Sequence, residues 1–138
     1  MTWYATQGEP RWDDYELWTT MGHLYKGGMW FKKKSQISGY NQNTAYDGTY
    51  WRTNEKLDSW SASQTLPSVA DAGNYFYLPA LGYYGAGQLT SVGSYGWCWS
   101  SSATPWRSDY AYSLDFLSGR VRVHYSSRAF GFWVEAFQ

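Results

Sequence analysis

A chain of 138 residues, long enough for one domain, balances 11 Lys plus Arg against 11 Asp plus Glu. Zero net charge gives no electrostatic footprint for nucleic acid or an anionic membrane. Aromatics reach 22% of residues, with ten Trp and fourteen Tyr, yet mean hydropathy is −0.59, which places the rings in strands and loops rather than in a greasy helical bundle.

From the N-terminus, Met1 is followed by no basic-then-apolar leader, and no apolar run approaches the ~20 residues of a bilayer span. A soluble chain without a signal peptide or direct membrane insertion is expected; action outside a cell would need a carrier or release in a virion. Trp12, Tyr15, Trp18, Met21 and Tyr25 then recur at three and four residues, with Leu17 and Leu24 widening the stripe. Pro10 and Asp13-Asp14 read as a start signal and Gly27-Gly28 as a stop, so the spacing predicts an amphipathic helix over about Trp12–Tyr25. Met29-Trp30-Phe31 reads as a short strand and Lys32-Lys33-Lys34 as its solvated exit.

From Ser38 to Asn74 the chain is rich in Gly, Asn, Asp, Ser and Thr, with spaced Tyr40, Tyr46, Tyr50, Trp51 and Trp60. The aromatics argue for a long loop folded onto the domain, with a second short helix, rather than for disorder. Asp47, Asn54, Glu55 and Asp58 lack the spacing of a known calcium loop and read as solvated carboxylates and amides. His23 and His124 stand far apart with no metal-ligand spacing, so neither metal nor cofactor is expected.

After Tyr75 short strands alternate with Gly and Ser turns: Tyr75–Leu78, Gly82–Tyr84, Gln88–Thr90 and Gly96–Ser100. The lone cysteine, Cys98, excludes an intramolecular disulfide framework and a multi-thiolate zinc site. Between Trp97 and Trp99 it reads first as a small half-buried hydrophobe. In the run Ala111–Phe116, Tyr112, Leu114 and Phe116 alternate with Ala111, Ser113 and Asp115. Beyond the Ser118-Gly119 turn, Val121, Val123 and Tyr125 alternate with Arg120, Arg122 and His124. One face is a uniform core; the other is a mixed set expected to point outward at a ligand. Phe132, Val134 and Ala136 predict a last strand with Trp133 and Glu135 opposite. The result is an α+β domain with one or two helices and small antiparallel sheets. Tyr112, Leu114, Phe116, Val121, Val123, Phe132, Val134 and Trp99 are expected inside.

These residues also carry a resemblance. Leu78-Pro79-Ala80, Gly82-Tyr83, Val92-Gly93, Gly96, Trp99-Ser100-Ser101, Ala111-Tyr112, Leu114, Phe116, Val121, Val123, Arg128, Gly131-Phe132 and Val134 follow one family pattern. The segment Phe76–Gln138, nearly half the chain, resembles the bacterial "major paralogous" domains of the C-type-lectin-like superfold. It is most similar to versions diversified by retroelements in gut bacteria and their phages. The first 75 residues match weakly, and the usual Trp-Arg-Leu-Pro-Thr opening is missing or degraded around Pro10-Arg11-Trp12. The resemblance implies one C-type-lectin-like domain over residues 1–138, with a variable, ligand-binding segment at about 95–135.

In such relatives adenine-directed mutation of asparagine codons yields Tyr, Ser, Asp, His, Phe, Leu, Arg, Ala and Cys among others, but not Trp, Lys, Glu, Gln or Met. Between the fixed points here lie Cys98, Arg107, Ser108, Asp109, Tyr110, Ser113, Asp115, Leu117, Arg120, Arg122, His124, Ala129 and Phe130, and each is a permitted residue. Trp133 is reachable from an arginine AGG codon and completes the candidate ligand-binding set; Glu135 stands where relatives often carry Arg.

Enzymatic function is not expected. The formylglycine-generating enzymes of the same superfold need paired cysteines, and no Ser/His/Asp order or phosphate loop stands out. The Glu-Pro-Asn, Gln-Pro-Asp and Trp-Asn-Asp signatures of calcium-dependent lectins are also missing. The resemblance therefore implies a display domain on a virion or bacterial surface. Its partners would be a protein or glycan receptor on a cell surface and a carrier or anchoring protein. The alternative is a carbohydrate-binding or adhesin-tip domain without diversification, whose Trp and Tyr stack on sugar rings without calcium.

Overall fold

The computed structural model describes residues 2–20, 22–41, 44–50, 58–85, 87–104 and 107–127, with side chains at all of these except 58, 84, 99–104, 107–109, 126 and 127. A short helix, α1 (Thr2–Gln7), precedes β1 (Arg11–Thr20) and β2 (His23–Lys32). Further along come β3 (Asp58–Ser61), β4 (Tyr75–Pro79), β5 (Tyr83–Gly85), β6 (Gln88–Thr90), β7 (Gly96–Thr104), β8 (Arg107–Leu117) and β9 (Arg120–Ser127). One sheet has the order β1-β2-β4, a second β3-β9-β8-β7, and β5-β6 form a small ribbon. All these pairings are antiparallel. The described architecture is mostly antiparallel sheet with one short helix.

The helix expected over Trp12–Tyr25 is instead the β1–β2 hairpin. Asp13 explains the misreading. Its Oδ1 accepts N–H bonds from Tyr15 at 2.7 Å and Glu16 at 2.9 Å, the local pattern of a helix N-cap. Here those bonds close a bulge. Pairing jumps from Asp13↔Gly28 to Leu17↔Lys26, leaving residues 14–16 opposite Gly27. Gly27 has φ of +104°, and its carbonyl accepts the Trp18 indole N–H at 2.9 Å. The supposed helix stop is thus the glycine partner of a bulge. Three looped-out residues also supply the three-residue spacings that imitate a helix.

Elsewhere the reading fares better. Met29–Phe31 lies inside β2, and six strands follow Asn74 where at least four were expected. The turn-rich middle contributes β3, which pairs with β9, and, among its described residues, a single 3-10 turn at Ala72–Asn74 where a short helix was expected. Asn54 and Glu55 lie outside the described residues, as do Phe132, Val134 and the Trp99 side chain. The β8–β9 register runs from Tyr110↔Ser127 to Leu117↔Arg120. It buries Tyr112, Leu114, Phe116, Val121 and Val123 as expected.

Aromatic rings join the two main sheets. Phe31 of β2 stacks on Phe76 of β4 at 5.9 Å and meets Phe116 of β8 edge-on at 6.1 Å. Tyr4 of α1 closes against Phe76 at 5.5 Å, fully buried. Such pairs add to the area they bury, worth about 0.5–1.5 kcal/mol each. Gly96 lies flat on the Phe116 ring, where a Cβ would overlap it. Gly96→Ala is therefore expected to destabilise by about 1–3 kcal/mol through overpacking. Gly119→Ala, with nothing within 4 Å of its added methyl, serves as the near-neutral control in urea denaturation. Equal stability of the two variants would show that the seam is looser than described.

Candidate binding face

The four-stranded sheet has one face toward the core. Its other face carries Trp97 from β7, Ser113, Asp115 and Leu117 from β8, Arg120, Arg122 and His124 from β9, and Ser59 and Ser61 from β3. The register assigns them: Asp115 lies opposite Trp97 and Arg122, Ser113 opposite His124, Leu117 opposite Arg120, and Ser59 opposite Arg122. Side chains alternate between faces along every strand, so these residues share one surface.

That surface is not the open polar display expected from sequence. Ser113 is 0% and Asp115 3% exposed, so both are corrected from outward-pointing ligand contacts to interior groups. Two buried polar residues on one strand must satisfy one another, and they do. The Ser113 hydroxyl donates to Asp115 Oδ1 at 2.7 Å. Arg122 donates to Asp115 Oδ2 from Nη2 at 2.6 Å and from Nε at 3.1 Å. The ion pair is lopsided: the carboxylate is sealed while the guanidinium side chain stays 36% exposed. Asp115 therefore fixes Arg122 in place, and Arg122 presents its remaining surface to solvent.

Around this anchor stand exposed Arg120 and half-buried Leu117 and His124. His124 donates from Nδ1 to the Tyr125 carbonyl at 2.8 Å and stacks on the Tyr125 ring at 4.8 Å. On the β7 side Trp97 stacks on Tyr95 at 4.7 Å and meets Tyr83 edge-on at 4.8 Å. Tyr95 borders the same pinhole as Asp115, Leu117, Arg120 and Arg122, a space of about 10 Å³, at the lower limit for one water.

Of the candidate residues, Leu117, Arg120, Arg122 and His124 come together here. Cys98 does not: it pairs across the sheet with Leu114 and is buried in the core, in keeping with its reading as a small hydrophobe and not with an outward-facing position. Tyr110 lies within β8. By alternation it shares the Tyr112 side, and it meets Tyr125 edge-on at 5.6 Å. The side chains of Arg107, Ser108 and Asp109, and all of Ala129, Phe130 and Trp133, lie outside the described residues. Tyr95 and Trp97 were missed. Their signal was present, since Trp97 and Trp99 flank Cys98 and must face away from it in a strand.

Among the described residues no group of three or more His, Cys, Asp or Glu is placed to hold a metal ion. Among these residues, too, no helix is long and apolar enough to cross a membrane. No protein-family model, curated protein or solved structure matches the chain.

Burial pushes the Asp115 carboxyl above its ordinary range, and the bonds from Ser113 and Arg122 oppose the shift without cancelling it. A raised folded value means tighter proton binding in the folded state. Its contribution to stability is full below the unfolded value and is lost as pH rises through the folded one. Asp115→Asn removes this dependence. The variant's stability relative to the parent is expected to rise between about pH 3 and about pH 7, measured by chemical denaturation. A relative stability that falls over that window would place the carboxyl below its ordinary range.

Proposed function

We propose that this protein is a non-enzymatic, metal-independent binding domain of C-type-lectin-like fold, one that meets its ligand with the outer face of β7, β8 and β9. The observation that carries the reading is the Asp115-anchored Arg122 set among Leu117, Arg120 and His124 on a regularly paired hairpin. Arginine and aromatic groups on a rigid base suit recognition, because little side-chain freedom is lost on binding.

In this reading the partner is a protein or glycan receptor on a cell surface. A carrier or anchoring protein holds the domain on a virion or bacterial surface. Retroelement diversification fits the same geometry with a restriction. Cys98, Ser113 and Asp115 are interior, where each replacement must fit a filled space and satisfy buried polar atoms. In this reading variation falls where side chains reach solvent without holding a buried partner, at Leu117, Arg120 and His124, while Arg122 is tied to Asp115.

The test uses fluorescently labelled protein on a panel of intact gut-bacterial cells. Combining Arg120→Glu with His124→Ala is expected to weaken binding by about 30-fold or more, the scale of a ~2 kcal/mol hot spot, with an unchanged melting temperature. Wild-type binding by that variant, alongside loss of binding by Leu24→Ser on the β1–β2 hairpin, would overturn the assignment.

A further inference from the structure

Next to the sheet face, which it meets at Ser61, an open cleft of about 560 Å³ is lined by α1, the start of β1 and the strand β3, within the size range of small-molecule sites. Thr6, Glu9, Arg11, Trp60, Ser61 and Ser63 line it. We propose that this cleft binds a neutral saccharide unit, as a site separate from the β7–β9 face.

The walls are fixed in advance. Pro10 accepts from the Ser63 N–H at 2.9 Å, Ser63 accepts from the Trp12 N–H at 2.8 Å, and Gly8 accepts from the Lys32 N–H at 2.8 Å. Between them Glu9 is held at φ of +44°, a left-handed conformation that costs a non-glycine residue free energy. Its side chain explains how that conformation persists. Oε1 accepts from Lys32 Nζ at 2.5 Å, and Oε2 accepts from the Tyr75 hydroxyl at 2.9 Å and Arg11 Nη2 at 3.3 Å. Lys32 first, then Tyr75, hold the Glu9 carboxyl below its ordinary range, so it acts only as an acceptor at neutral pH.

Arg11 is equally constrained. Nη1 donates to the Thr65 carbonyl at 2.9 Å, and the guanidinium lies 5.7 Å from the Tyr75 ring centre. Its Nε is buried without a hydrogen-bond partner. The cleft therefore sets an acceptor-only group beside a donor-only group, with three hydroxyl-bearing residues and a half-buried tryptophan. Among the lining residues Glu9 and Arg11 cancel in charge, while Lys32, the second partner of Glu9, stands outside the lining. Sugar hydroxyls donate and accept at once while sugar C–H faces pack on aromatic rings, so a neutral polyhydroxylated ring matches this lining better than a phosphate or a hydrocarbon. Trp60 is steadied from behind by Tyr46, edge-on at 5.9 Å.

The experiment is saturation-transfer NMR on the full chain with methyl glycosides of glucose, galactose, mannose and N-acetylglucosamine at about 50 mM, with N-acetylneuraminic acid as a charged comparator. At least one neutral glycoside is expected to bind. Ser61→Tyr, which fills the cleft from an exposed strand position, is expected to weaken it at least about tenfold. Trp60→Phe, which retains a ring in the packing, is expected to weaken it to a lesser degree, and His124→Ala, beyond the end of the β3 pairing, to leave it unchanged. Melting temperatures of all three variants identify any that fail to fold, and either cleft variant alone suffices. Absence of binding by every neutral glycoside, preference for the acidic sugar, or undiminished binding by a folded cleft variant would overturn the proposal. Loss on His124→Ala would assign the sugar to the sheet face instead.

Discussion

The structure depends on a strand with two inside faces. From Ala111 to Phe116 every residue of β8 is buried. Tyr112, Leu114 and Phe116 face the core that joins the two sheets, and Ser113 and Asp115 lie sealed on the opposite side. The second of these is costly by itself, because a buried carboxylate loses its hydration. Ser113 and Arg122 supply the replacement bonds. The same pairing that makes the buried acid tolerable also positions the arginine at the surface. The polar interior and the candidate binding face are one piece of chemistry seen from two sides.

Period-two patterning made the β8–β9 hairpin legible, because Leu114 and Val123 have to share a side. Alternation states which side a residue takes, not what lies over it. Ser113 and Asp115 therefore read as exposed until the register put Trp97, Arg122 and His124 beside them. Leu117, Arg120, Arg122 and His124 were legible as a set, and so was the burial of Cys98 as a small hydrophobe; its register opposite Leu114 was not.

The N-terminal half was harder to read because its local signals serve a different end. Asp13 makes the bonds of a helix cap in order to close a bulge. In α1, the six residues Thr-Trp-Tyr-Ala-Thr-Gln form a helix too short for periodicity to reveal. The run Asp-Ser-Trp-Ser of β3 has no alternating apolar pattern beyond Trp60. It is a strand because β9 offers an edge, a tertiary cause that no window of sequence contains. Both elements matter for the second proposed site, since α1 and β3 form its walls.

The central claim, that β8 is the doubly buried strand on which core and surface both rest, is tested most directly by native-state amide hydrogen exchange. Amides of Tyr112–Phe116 are expected to exchange only through global unfolding, at least about a thousandfold more slowly than those of the distal β1–β2 ribbon from Leu17 to Lys26. That ribbon extends past its neighbour β4, which pairs only with Gly28–Lys32. Leu17 is 60% and Leu24 63% exposed. Exchange in β8 as fast as in the ribbon would contradict the account.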